Sequence, residues 1–209
     1  MKEASSRAAL PGLSLLSLLV LVACNQQQAE NSVAPKPPDP PAVTAIEPAT
    51  PASPLAKAAI RGDVVEVKTL LASGADVNVT DALGRTPLHM AAFYSRTKVT
   101  EVLLSKGAQI DARDRIGMTP LHAAVLAGTR SEIELLLDKK ADVKAASNAG
   151  QTPLHLAAAT GQPKIARLLI ERGADPQSKD KDDKTPLFYA SRNRHPVTTE
   201  LLQGYVAKK

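Results

Sequence analysis

Three histidines, His89, His122 and His155, are the side chains of this sequence best suited to chemistry. An imidazole can ligate a metal, or take up and release a proton near neutral pH. Each one follows the same three residues, Thr86-Pro87-Leu88, Thr119-Pro120-Leu121 and Thr152-Pro153-Leu154, and a further copy, Thr185-Pro186-Leu187, ends in Phe188 instead. Counted from Thr86, each start lies about 33 residues after the last, a period that belongs to stacked, near-identical units. Equivalent positions in successive layers ~10 Å apart cannot share one ion, because zinc needs its ligand nitrogens within ~2.1 Å. The three histidines are therefore read as structural, with Thr86, Thr119 and Thr152 as the helix caps beside them; no metal or other cofactor is expected. His195, which stands alone before Pro196, reads as a surface residue. No Gly-rich phosphate loop, HExxH run or Ser-centred nucleophile elbow occurs. No catalytic residue is assigned, and the chain is not expected to be an enzyme.

The elements that would position these side chains are short helix pairs. A Thr caps the first helix and a Pro occupies its first turn, where a missing N–H costs nothing. Leu and a pair of Ala follow, small enough to let layers approach closely. A turn comes at Gly62, Gly128 and Gly161. The second helix carries apolar residues at helical spacing, as in Val64, Val67, Leu70 and Leu71, or Val99, Val102, Leu103 and Leu104. It ends at Gly74, Gly107 or Gly173, each a left-handed cap, and a hairpin loop carrying Asp81-x-x-Gly84, Asp114-x-x-Gly117 or Ser147-x-x-Gly150 leads onward. With no Trp, two Phe and three Tyr in 209 residues, the core must be aliphatic, which suits thin helical layers. Lys140, Ser95 and Asp183 each stand where other units have Gly, and Lys140 is expected to be strained.

The N-terminal stretch reads differently. Lys2 and Arg7 precede an apolar run, Leu10 to Ala23, broken by Pro11, Gly12, Ser14 and Ser17. It is too short and interrupted for a membrane span and reads as a secretory signal over residues 1–23. Leu21-Val22-Ala23-Cys24 resembles a bacterial lipobox, and Cys24 is the one cysteine of the chain. That resemblance implies a diacylglyceryl group, and often palmitate, on Cys24, with Asn25 directing the protein to the outer membrane, facing the periplasm. Residues 24–53 then form a polar, Pro-rich tether without a core, able to reach on the order of 90 Å.

Over residues 54–209 the repeated Thr-Pro-Leu-His-x-Ala-Ala phrase resembles the ankyrin repeat family. The resemblance implies an all-α repeat solenoid of about five helix-turn-helix units joined by β-hairpin loops. Their bounds fall near 54–80, 81–113, 114–146, 147–179 and 180–209. It also implies that each His bonds its Thr and the next hairpin's backbone. By the same register, the concave face formed by hairpin tips and first helices binds partners. It comprises Leu83, Arg85, Phe93, Tyr94, Arg113, Arg115, Ile116, Met118, Leu126, Asn148, Gln151 and Thr160, with Lys179, Lys181, Lys184, Arg192 and Asn193 in the last unit.

The formal net charge of +5 is dispersed among acids, so nucleic acid is not expected as a partner. The expected function is protein binding without catalysis, by a monomer held at the membrane through Cys24. By resemblance, the partner is a toxin such as a phospholipase, neutralised by an immunity protein, or an envelope or oxidative-stress enzyme supported by a scaffold.

Overall fold

Side-chain capping opens the first helix of a unit and, once, the second; the second helices starting at Thr97, Arg130, Pro163 and Pro196 have no side-chain cap bond. Ser53 Oγ accepts the Ala56 N–H at 3.1 Å, so the chain enters α1 (Pro54–Arg61) with Pro54 in the first turn. Asp63 Oδ1 does the same for the Glu66 N–H at 2.9 Å, opening α2 (Val64–Ala72). The pattern repeats as α3 (Pro87–Phe93) and α4 (Thr97–Ser105), α5 (Pro120–Ala127) and α6 (Arg130–Asp138), α7 (Pro153–Ala159) and α8 (Pro163–Glu171), then α9 (Pro186–Arg192) and α10 (Pro196–Val206). The computed structural model describes residues 53–207. The signal segment, Cys24 and the Pro-rich tether up to residue 52 lie outside the described residues; Ser53, expected as the tether's end, is the cap of α1.

The helices form two layers. First helices pack in sequence, α1 on α3, α3 on α5, α5 on α7 and α7 on α9; in the second layer α2 meets α4, α4 meets α6, and α8 meets α10. One leucine per unit, Leu55, Leu88, Leu121 and Leu154, runs through the stack at no more than 1 % exposure. Each such side chain contributes roughly 1.5–3 kcal/mol by leaving water. Ala58, Ala59, Ala91, Ala92, Ala124, Ala157 and Ala158 are buried beside them, and their small size sets the close spacing of the first helices.

Second helices end in a left-handed residue with a six-to-one bond. Ala75 N–H reaches the Leu70 carbonyl at 3.0 Å, and Ala108 to Leu103, Ala141 to Leu136 and Ala174 to Leu169 repeat it. Gly74, Gly107 and Gly173 supply the positive φ, while in the third unit Lys140 adopts φ 74°. Ser95 and Asp183 both sit at φ 57°, and Arg194 joins them at φ 60°. The sequence reading did not single out Arg194.

The described residues contain no strand. The expected hairpins are single hydrogen-bonded turns, such as Asp81 N–H to the Arg85 carbonyl at 3.0 Å and Gly84 N–H to the Asp81 carbonyl at 2.9 Å. They are too short for a ladder within a unit, yet they bond from unit to unit. Arg115 N–H donates to the Leu83 carbonyl at 2.9 Å, Asn148 to Ile116 at 2.8 Å, and Lys181 to Ala149 at 3.0 Å. This close approach demands glycine: a Cβ at Gly117 would lie 2.7 Å from the Asn148 nitrogen, and one at Gly150 would lie 2.7 Å from that of Lys181. At Asp183 no further unit packs against the turn among the described residues, so the steric demand lapses and only the φ preference remains.

Candidate protein-binding surface

The histidines face inward. His122 is fully buried; its Nδ1 accepts the Thr119 N–H at 3.1 Å and contacts the Thr119 hydroxyl at 2.9 Å, while Nε2 reaches the Gln151 carbonyl at 3.0 Å. His89 bonds Thr86 and the Met118 carbonyl in the same way, and His155 bonds Thr152 and the Lys184 carbonyl. A carbonyl can only accept, so Nε2 carries the hydrogen and Nδ1 is the acceptor. The imidazole is thus neutral, and protonating Nδ1 would set an N–H against the Thr N–H. Burial pulls the His122 pKa down to about 4, against the carbonyl bond that favours the charged form. His89 and His155 shift downward for the same first reason. Each ring ties one unit's cap to the next unit's hairpin. No group of three or more His, Cys, Asp or Glu that could hold a metal occurs among the described residues.

The hairpin acids also face inward. Asp81 Oδ1 accepts the N–H groups of Leu83 and Arg85, both at 2.9 Å. Asp114 Oδ1 accepts those of Ile116 and Met118 at 3.0 and 2.8 Å, and Asp180 Oδ1 those of Asp182 and Lys184 at 2.9 Å. In the fourth unit the Ser147 hydroxyl takes the Gln151 N–H at 3.2 Å. For Asp180, burial alone would raise the pKa; hydrogen bonds from Tyr189 and the backbone outweigh it and hold the carboxylate below its ordinary value. Tyr189 Oη donates to Asp180 Oδ2 at 2.6 Å, and burial, then this carboxylate, pushes its own pKa up to about 12.

Large apolar side chains come to the surface on the hairpin and first-helix face. Leu83 is 52 % exposed, Ile116 48 %, Phe93 46 % and Tyr94 44 %. Phe93 and Tyr94, at the end of α3, meet edge to face with centroids 5.3 Å apart. Leu83 and Ile116 occupy equivalent positions in neighbouring turns joined by the Leu83–Arg115 backbone bond. Arg113 and Arg115 are exposed; Arg113 donates to the Ala146 carbonyl at 2.6 Å. Arg85 is half-buried and ion-paired to Asp81 at 2.7 Å. Asn148 is exposed and its amide donates to the Arg115 carbonyl at 2.9 Å. Leu126 and Thr160 are half-buried, the Thr160 hydroxyl returning to the Leu156 carbonyl at 2.7 Å.

Two expected surface residues are not on the surface. Met118 is 8 % exposed and Gln151 9 %. Both directly precede a buried Thr cap, and each carbonyl receives a histidine from the preceding unit. The Gln151 amide is further engaged by Tyr189 Oη at 3.0 Å. Neither side chain is available to a partner.

The sequence reading also missed a buried polar pair. Thr100 and Glu132 are fully buried, and the Thr100 hydroxyl donates to Glu132 Oε1 at 2.5 Å across α4 and α6, leaving Oε2 without a partner. Burial raises the Glu132 pKa, with the threonine hydrogen bonds opposing it. A signal existed: one period to either side of Glu132 stand Val99 and Ile165, both buried.

No helix among the described residues is long and apolar enough to cross a membrane. A family model of ankyrin repeats, built as three copies, matches residues 19–114 and again 111–180. The first match starts ahead of Pro54 and the second stops before α9. No curated protein matches the chain.

Proposed function

Given that the chain belongs to the ankyrin repeat family, whose repeats are generally protein-interaction modules, we propose that it is a membrane-anchored periplasmic protein. It binds another protein through its hairpin and first-helix face, without catalysis. One observation carries this reading: Leu83, Phe93, Tyr94 and Ile116 are each close to half exposed in a chain with so few aromatic residues. Clustered exposed apolar side chains mark interaction sites, and aromatic anchors tend to dominate interface energetics. The lipobox-like segment ending at Cys24 supplies the anchor, and two or three acyl chains hold far more firmly than one. The Pro-rich stretch behind it sets how far the array reaches from the outer membrane. The partner is an envelope protein, or a toxin that the array neutralises.

Photo-crosslinking in a Gram-negative host tests this. A reactive residue at Ile116 or Tyr94 of the full chain should trap one protein, and one at Val65 should not. Equal trapping at both positions would refute surface-specific binding. Cys24→Ser should release the chain from the membrane fraction, and mass spectrometry of the N-terminal peptide reads the acyl groups directly.

A further inference from the structure

The hairpin row sorts its charges by depth. The carboxylates of Asp81, Asp114 and Asp180 are turned into their own turns and held by two backbone N–H groups each. Arg85 folds back onto the Asp81 carboxylate, but two other cations of the row point outward. Arg115 and Lys181 hold the same position in their turns and are exposed, and neither side chain makes a hydrogen bond or ion pair among the described residues. Of the two exposed acids at the row's last turn, Asp183 is paired with Lys179 at 3.5 Å, leaving Asp182. Beside the cations, Leu83 and Ile116 stand about half exposed in adjacent turns. The backbone bonds between turns keep these side chains in fixed register along the row.

We infer that the occupant of this face is an extended acidic protein segment with aliphatic or aromatic side chains, its carboxylates meeting Arg115 and Lys181 and its apolar groups meeting Leu83 and Ile116. This rests on the proposed binding role of the same face and names the chemistry of the partner. Carboxylates are the complement of a guanidinium fork, and two outward cations, with Asn148 at the equivalent position between them, disfavour basic segments by like-charge repulsion. The apolar pair supplies the contact that survives salt; the cations supply selection and speed of encounter.

The test uses the full chain and a random 16-residue peptide display library. Enriched peptides should combine Asp or Glu with Leu, Ile, Phe or Trp. They should bind at least about tenfold more weakly to the exposed-site variant Arg115→Glu/Lys181→Glu, whose thermal melting should match that of the original chain. Peptides that lose binding to Leu83→Ser/Ile116→Ser but show no acidic bias would overturn this inference and leave the binding face standing. Peptides indifferent to all four substitutions would overturn both. Binding to phosphatidylglycerol vesicles that vanishes in Arg115→Glu/Lys181→Glu, with no acidic peptide enriched, would assign the cations to lipid and overturn the inference as well.

Discussion

His122 Nε2 donates to the carbonyl of Gln151 across 29 residues of sequence, at 3.0 Å. One period later His155 makes the equivalent bond to Lys184, and one further on Phe188 stands in the histidine position, 37 % exposed, with the Lys184 ammonium 4.8 Å from its ring centre. The imidazole is therefore a device for joining units. Where no following hairpin packs among the described residues, there is nothing for Nε2 to reach. Asp183 and Arg194, at positions where inner units have Gly150 and Gly161, follow the same logic: a Cβ at Gly161 would meet the His195 ring, and Arg194 faces no such neighbour. A unit with no described neighbour beyond it lacks the contacts that hold the inner units to the pattern.

Acid should loosen the array through the histidines. The folded pKa of His122 lies near 4 against an ordinary 6.5, so between those values the unfolded chain binds more protons. Its contribution is complete above about pH 6.5 and is lost as pH falls toward 4, amounting to roughly 3 kcal/mol. Urea unfolding at pH 7, 5.5 and 4 reads the slope. The variant His122→Gln should be less stable at pH 7 and flatter with pH.

Lys140 adopts φ 74°, which costs a side-chain-bearing residue about 1–2 kcal/mol. Lys140→Gly should stabilise the fold by that order and raise the urea midpoint accordingly. Gly150→Ala should do the reverse, since its Cβ would press on the Lys181 nitrogen at 2.7 Å and its φ is 80°. A midpoint that falls in the first variant contradicts the strain at Lys140.

Removing the Thr100 hydroxyl strands a buried carboxyl. Thr100→Val should cost about 1–3 kcal/mol, whereas Thr100→Val with Glu132→Ile should restore or exceed the starting stability, as apolar replacements of buried polar pairs often do. The raised Glu132 pKa has the opposite sign to the histidines: its contribution is full at low pH and declines as pH rises from the ordinary carboxylate range through the folded value. A double-mutant cycle at pH 5 and pH 7.5 separates the two.

Phe93 and Tyr94 touch each other and water. Phe93→Ala/Tyr94→Ala should leave thermal unfolding nearly unchanged and weaken partner capture by more than ~2 kcal/mol. A collapse in melting temperature would make these rings part of the fold's packing instead.

The sequence alone determined what repeats: the period, the Thr caps with Pro in the first turn, the leucine column, and the glycines of the left-handed turns. These are local choices stamped once per unit, so comparing a residue with its equivalents 33 positions away reveals them. The register already put Leu83, Phe93, Tyr94 and Ile116 on the exposed face, but which of their neighbours there are buried became visible only in the fold, because burial is decided by the neighbouring unit and not by the residue's own. For that reason Met118 and Gln151, polar or adaptable in type, lie inside, and Glu132 is buried against Thr100 where Val99 and Ile165, one period to either side, are aliphatic. The inward turn of Asp81, Asp114 and Asp180 is a local matter, since their own turns offer the backbone N–H groups; what only the fold decided is that Arg85 and Arg113 find partners while Arg115 and Lys181 are left facing water.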